Sequence, residues 1–264
     1  MHHVVHYRRR VVRANLCNAF PEKSAAELRD IEREFYRYIC DYMLEEVKML
    51  RMSFKELCRR MEYDNKEEYL AMIEKHGGIV LLIPHYANFE WITGMSSIMQ
   101  EGDIPVQIYK PLHNKYMDAM FKRIRTRFGG YNVAKHSTAR EIIKLCRDNK
   151  RVAVGMITDQ SPNPNEAHYW TTFLNQDTVF MDGAERIAKL MDFPVFYCEL
   201  QKQGGGYCRV RIDLIPEPPK APADGEKTEC FARRLEQTIR REPPYWFWSH
   251  KRWKLKREDT IQHG

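Results

Sequence analysis

His85 and Glu90, separated by four residues in Ile83-Pro84-His85-Tyr86-Ala87-Asn88-Phe89-Glu90-Trp91, form a pair able to move a proton. A carboxylate bound to one imidazole nitrogen fixes the tautomer and leaves the other nitrogen as a base. On one continuous helix the two side chains would point ~140° apart and never meet. They can meet if His85 sits in a turn after a strand and Glu90 in the first turn of the following helix. The alternative is a locally satisfied core histidine beside a glutamate that favours a helix N-terminus for electrostatic reasons. Spacing alone leaves both open. Asp159-Gln160 is a second candidate, either a functional acid at a strand end or turn chemistry before Ser161-Pro162. His113 and His250 have no acidic neighbour in sequence and are poor candidates for a base.

The flanking pattern supplies the elements this pair needs. Ile79-Val80-Leu81-Leu82-Ile83 is apolar on both alternating faces, as in a strand buried on both sides, and Pro84 ends it. Ligands of open α/β sheets bind at such carboxyl ends. Before it, Leu28, Ile31, Phe35, Tyr38, Ile39, Tyr42 and Met43 recur at helical spacing between Pro21 and Leu50. A shorter helix follows and stops at Gly77-Gly78. After the site, a helix begins near Asn88, a strand covers 106–109, and Asn114 opens a helix reaching Phe128. Further strands are expected over 152–157, 195–200 and 207–214, the last two joined through Gly204-Gly205-Gly206. Helices are expected over 183–191 and 226–241, with Pro216 to Pro222 a linker. This alternation predicts an α/β fold: one mixed β-sheet flanked by helices, in a single domain over 1–264. Its amino-terminal region, 21–76, would be helical and its core would span 77–264.

Bulk composition excludes several classes. A chain 43% hydrophobic and 30% charged is neither disordered nor a multi-span membrane protein. The longest aliphatic run is five residues, far short of the ~20 that span a bilayer. Seven cysteines without a Cys-x-x-Cys pair argue against a disulfide framework or structural zinc and for a reducing compartment. The net charge of +7 suggests an acidic partner. Basic residues interspersed with acidic ones, and no recognisable nucleic-acid module, argue against nucleic acid. Trp246, Trp248 and Trp253 around His250, Lys251 and Arg252 suit either a lipid–water interface or a packed terminal segment.

The segment around His85 resembles the His-x4-Asp/Glu motif of glycerolipid-type acyltransferases, in the form found in the late acyltransferases of lipid A biosynthesis. Other blocks agree in order: YRRRVVRANLCNAFPEKS, YKPLHNKYMDAMFKRIRTRFG, TDQSP, GAERIAKLMDFPVFY and PPYWFWSHKRWK. Their succession over nearly the whole chain carries the resemblance, because a lone His-x4-Glu is weak. It implies a glycerol-phosphate-acyltransferase-like fold in which His85 and Glu90 are catalytic. An acyl carrier protein thioester would be the donor and a hydroxyl of a phosphorylated lipid A precursor the acceptor. No cofactor, metal or covalent acyl-enzyme is needed, because the acceptor oxygen is itself the nucleophile.

The resemblance also implies substrate-side roles for Lys110, Asn114 and Asp159. Arg123 and Arg127, on the basic helix near the sheet's carboxyl edge, are candidates for the acceptor's phosphates or the acidic carrier, the alternative being the charges of a plain solvated helix face. Lys110 stands where the family often has arginine, losing the planar fork that grips phosphate twice. Family members work at the cytoplasmic face of the inner membrane through an amino-terminal membrane helix just before the YRRR block. Here that helix would precede Met1, leaving basic charge and interfacial aromatics to hold the chain on the membrane. Alternatives are an acyltransferase for glycerol phosphate or an aminolipid, and a non-enzymatic basic protein that binds membrane.

Overall fold

The computed structural model describes residues 7–111, 114–216 and 225–258. Two antiparallel-packed helices open the chain, α1 (Arg9–Ala19) and α2 (Ala25–Met49). Ser24 starts α2 with a capping box: its hydroxyl accepts from the Glu27 amide, and the Glu27 carboxylate returns to the Ser24 amide. Such a cap contributes ~1 kcal/mol. One face of α2 buries Phe35, Tyr36, Tyr38 and Ile39. Helix α3 (Phe54–Arg60), strand β1 (Met61–Tyr63) and helix α4 (Lys66–His76) lead into β2 (Gly78–Leu82).

Strand β2 is buried at all five positions, as its unbroken apolar sequence demands. Helices α4 and α7 (Gly183–Met191) pack on it. Gly78 is required there: a Cβ would stand 2.5 Å from the Phe193 ring and 2.8 Å from Val152. The chain continues through a 3-10 helix (Phe89–Ser97), β3 (Ile104–Tyr109), α5 (Lys115–Arg127), β4 (Tyr131–Ala134), α6 (Thr138–Arg147) and β5 (Val152–Met156). A separate hairpin, β6 (Tyr169–Phe173) with β7 (Gln176–Phe180), precedes α7; then come β8 (Val195–Gly204), β9 (Tyr207–Leu214) and α8 (Glu226–Arg241).

Seven strands form one sheet in the order β1-β9-β8-β2-β5-β3-β4. Pairs are parallel except the β8–β9 hairpin, so the sheet is mixed and helix-flanked in a single domain, as the alternating pattern predicts. Within the region expected to be helical, β1 adds an edge strand on β9. The segment after Asn88 is a 3-10 helix, tighter than the expected α-helix. Most of the expected Pro216–Pro222 linker lies outside the described residues, as does His113.

Candidate active site

Strand pairing, not sequence proximity, builds the site. Strands β2 and β5 are parallel neighbours with Leu82 opposite Met156. Three residues beyond each stand His85 and Asp159, side by side at the sheet's carboxyl edge. Asp159 is buried, at 1% exposure. Its Oδ1 lies 2.6 Å from His85 Nδ1, and its Oδ2 accepts from the His85 amide at 3.0 Å and the Trp246 indole at 2.8 Å. Burial alone would raise the Asp159 pKa. The attraction of His85 and the hydrogen bonds from His85 and Trp246 overcome it and hold the carboxyl below its ordinary range. An ionised Asp159 requires the proton on Nδ1, which leaves Nε2 unprotonated in the neutral ring.

The turn carrying His85 is held from both sides. Ala87 has φ +48°, a left-handed conformation costing ~1 kcal/mol for a residue with a Cβ. Its amide donates to the Tyr245 carbonyl at 2.9 Å, and its carbonyl accepts from the Tyr38 hydroxyl at 2.8 Å. The Phe89 ring meets the imidazole edge-on, with centroids 4.8 Å apart. Packing and hydrogen bonds thus over-determine a strained turn, as in sites where geometry must be fixed in advance.

The expected His85–Glu90 contact does not form. Among the described residues no hydrogen bond joins the two; the Glu90 carboxylate grips Arg125 instead, through contacts of 2.8, 3.1 and 3.2 Å. A guanidinium fork across a carboxylate is a stronger match than one imidazole nitrogen. Glu46, from α2, lies near this pair. Burial and then the Glu90 charge push it up to about 8, and its buried Oε1 has no hydrogen-bond partner among the described residues.

His85, Glu90 and Arg125 line one cavity of about 660 Å³, large enough for part of a lipid. Lys110 reaches it from the end of β3, Arg186 from α7 and Lys254 from the terminal segment; among the described residues these three have no carboxylate partner. Other expected substrate residues lie elsewhere. Asn114 caps α5, its carbonyl oxygen accepting from the Tyr116 and Met117 amides. Arg127 donates to the carbonyls of Met49, Leu50 and Met52, tying α5 to the end of α2. Arg123 is exposed, and neither it nor Arg127 nor Asn114 reaches the cavity wall. Asp159 has both oxygens occupied within the protein, so it supports His85 and has none left for substrate. Arg125 and Lys122 are the α5 cations that reach the cavity, and Arg125 is the one that Glu90 holds. Its signal was α5 amphipathicity read in register, since Phe121 and Lys122 also line the cavity.

The terminal tryptophans form packing, not an outer surface: Trp246 and Trp248 are 2% and 0% exposed, and Trp253 donates to the Thr178 hydroxyl. The seven cysteines are all free thiols, with Cys198 and Cys208 in the core.

The model of the bacterial lipid A biosynthesis acyltransferase family matches residues 1–255. The chain belongs to this family. It is therefore an acyltransferase of the lipid A type, and the His85 cavity lies within the matched span. Comparison with curated proteins gives no match.

Proposed function

We propose that this lipid A-type acyltransferase moves an acyl chain from an acyl carrier protein thioester to a hydroxyl of a phosphorylated lipid A precursor. The observation that carries the reading is an imidazole whose Nδ1 is fixed by a buried carboxylate at the edge of the 660 Å³ cavity. His85 Nε2 takes the hydroxyl proton as the oxygen attacks the thioester carbonyl. Asp159 holds the ring and stabilises the imidazolium. The tetrahedral intermediate collapses, and the departing thiolate recovers the proton from His85. Glu90 acts through Arg125, holding that cation at the cavity wall. Lys110, Arg186 and Lys254, on the same wall and without a carboxylate partner among the described residues, suit the phosphate groups of an acceptor.

The test is transfer by the purified chain from saturated acyl-carrier-protein thioesters to a phosphorylated tetraacyl glucosamine disaccharide, followed by mass spectrometry. Wild type should add one acyl mass, and His85→Ala should reduce turnover by roughly 10²–10⁴. Absence of transfer by wild type, with unchanged lipid A in cells lacking the gene, would overturn the reading.

An anionic bilayer is the proposed docking surface, here the cytoplasmic face of the inner membrane. Among the described residues no helix is long and apolar enough to cross a membrane. Met43, Leu44, Val47 and Leu50 nevertheless form an outward apolar stripe on α2, continued by Phe54, and are 42–70% exposed. Arg51 and Lys55 flank it, and the opposite side of α2 presents Tyr42 to Phe89 beside His85. Apolar insertion beside basic charge fits an anionic interface. Leu44→Ser with Val47→Ser should reduce co-sedimentation with phosphatidylglycerol vesicles several-fold. Equal sedimentation of variant and wild type would remove this face from the interface, and a variant that abolishes a wild-type dimer would assign it to a second copy.

A further inference from the structure

A second imidazole shares the cavity with His85. His250 lies in the segment after α8, and its backbone is pinned: its amide donates to the Phe247 carbonyl, and its carbonyl accepts from the Asn15 side chain and the Arg252 amide. The ring lines the cavity together with His85, Ser161 and Lys254. Its Nε2 lies 3.1 Å from the backbone nitrogen of Ser161. A peptide N–H can only donate, so Nε2 must be the accepting nitrogen, and a neutral ring then carries its proton on Nδ1. Among the described residues nothing accepts from that Nδ1–H.

The surroundings also keep the ring uncharged. Burial first, then the positive charge of Arg252 and the neighbouring His85 and Lys254, push its pKa down to about 4, against the weaker opposing pull of Asp159. Arg252 is itself buried, beneath 2% exposed, and spends one donor on the Val179 carbonyl. The two imidazoles therefore face one cavity in opposite chemical states. His85 has its Nδ1 proton committed to a carboxylate and offers a basic Nε2. His250 has its basic Nε2 committed to an amide and offers a proton on Nδ1.

We infer that His250 is a catalytic electrophile, its Nδ1–H donating to the thioester carbonyl oxygen as that oxygen becomes an oxyanion. The inference rests on the acyl-transfer reading above and assigns the other half of the step. The acceptor oxygen forms its bond to the carbonyl carbon, its proton passes to His85 Nε2, and the carbonyl electron pair moves to oxygen, where His250 meets it. When the pair returns, the carbon–sulfur bond breaks and the thiolate takes the proton from His85. A neutral imidazole suits this role, because it stabilises the developing charge without surrendering its own proton. The segment PPYWFWSHKRWK then serves the site twice, through the Trp246 indole on Asp159 and through His250.

Two measurements test this. Nitrogen-15 NMR of the imidazoles in the unliganded wild-type protein should show His250 as the neutral Nδ1–H tautomer, with no titration between pH 8 and about 5. A ring protonated on Nε2, or titrating near the ordinary histidine value, would overturn the inference without any substrate. In the transfer assay, His250→Ala should lose roughly 10²–10³-fold in kcat, the cost of one oxyanion donor. Its KM for the thioester should stay within a few-fold, and the pH profile should keep its shape. His250→Gln, which retains an N–H donor, should recover part of the loss. A folded His250→Ala with wild-type kcat sinks the assignment, as does a KM rise that accounts for the whole deficit. A wild type that transfers no acyl group is a different failure and belongs to the preceding reading.

Discussion

Two carboxylates stand near the same cavity, and they differ in what neutralises them. Asp159 is closed on every side: three N–H donors, from His85 and Trp246, converge on its two oxygens, at 1% exposure. Glu90 is a partly exposed wall residue that shares one guanidinium with the electrostatics of a second carboxylate, Glu46. The first arrangement fixes a tautomer. The second fixes a cation, and leaves Glu46 with an oxygen that has no hydrogen-bond partner among the described residues, where its charge is disfavoured. The His-x4-Glu spacing points to the wrong carboxylate as the imidazole's partner, because proximity along the chain is not contact. Equal offsets beyond paired strands are contact.

That comparison can be broken most decisively at Asp159. Asp159→Asn should lower kcat by roughly 10³–10⁴, since an amide can donate to Nδ1 and force the proton onto Nε2, leaving no base. The variant's fold is checked by circular dichroism. A loss of less than tenfold would show that the tautomer is not set by Asp159. Glu90→Gln comes next, with an expected loss of roughly 10–10², because Arg125 keeps a neutral acceptor but loses its counter-charge. Made in an Arg125→Gln background, the same change should cost much less, which a double-mutant cycle would read directly. Full cost in that background would mean that Glu90 acts on something other than Arg125. A Glu90→Gln effect larger than that of Asp159→Asn would reverse the assignment.

The smallest effect is expected at Glu46, and in stability. Its folded pKa of about 8 lies above the ordinary carboxyl value, so between about 4.5 and 8 the folded state binds more protons than the unfolded one. Stability associated with this group is therefore fully present at acid pH and is lost as pH rises through about 8. Glu46→Gln removes that loss. Its stability relative to wild type should climb by roughly 1–3 kcal/mol between pH 5 and 9, measured by urea unfolding. A difference that stays flat with pH would mean the Glu46 carboxylate is already charged at neutrality.

Local features were legible before any tertiary information. The unbroken apolar run at 79–83 became β2, Asn114 became the cap of α5, and 226–241 and 207–214 became α8 and β9 with the expected bounds. Each depends on periodicity or capping within one or two turns of chain, which side chains determine directly. The position of His85 just beyond a buried strand belongs to this class. Asp159 was visible as a residue at a strand end but not as the partner of His85, 74 residues away. Arg127 and Arg123 could not be told from Arg125 by composition, although only Arg125 reaches the cavity.

By itself, then, the sequence determined many of the elements, their α/β alternation and the family to which their ordered blocks belong, but not β1, β4, α6 or the β6–β7 hairpin. Tertiary structure decided which residues share the site. The deciding event is the insertion of β5 between β2 and β3, which places Met156 opposite Leu82 and so His85 beside Asp159. Strand neighbours are chosen by burial of whole faces across long loops, and no short window of sequence encodes that choice. The same holds for the terminal segment, whose tryptophans and His250 acquire their roles only by folding back under the carboxyl edge of the sheet.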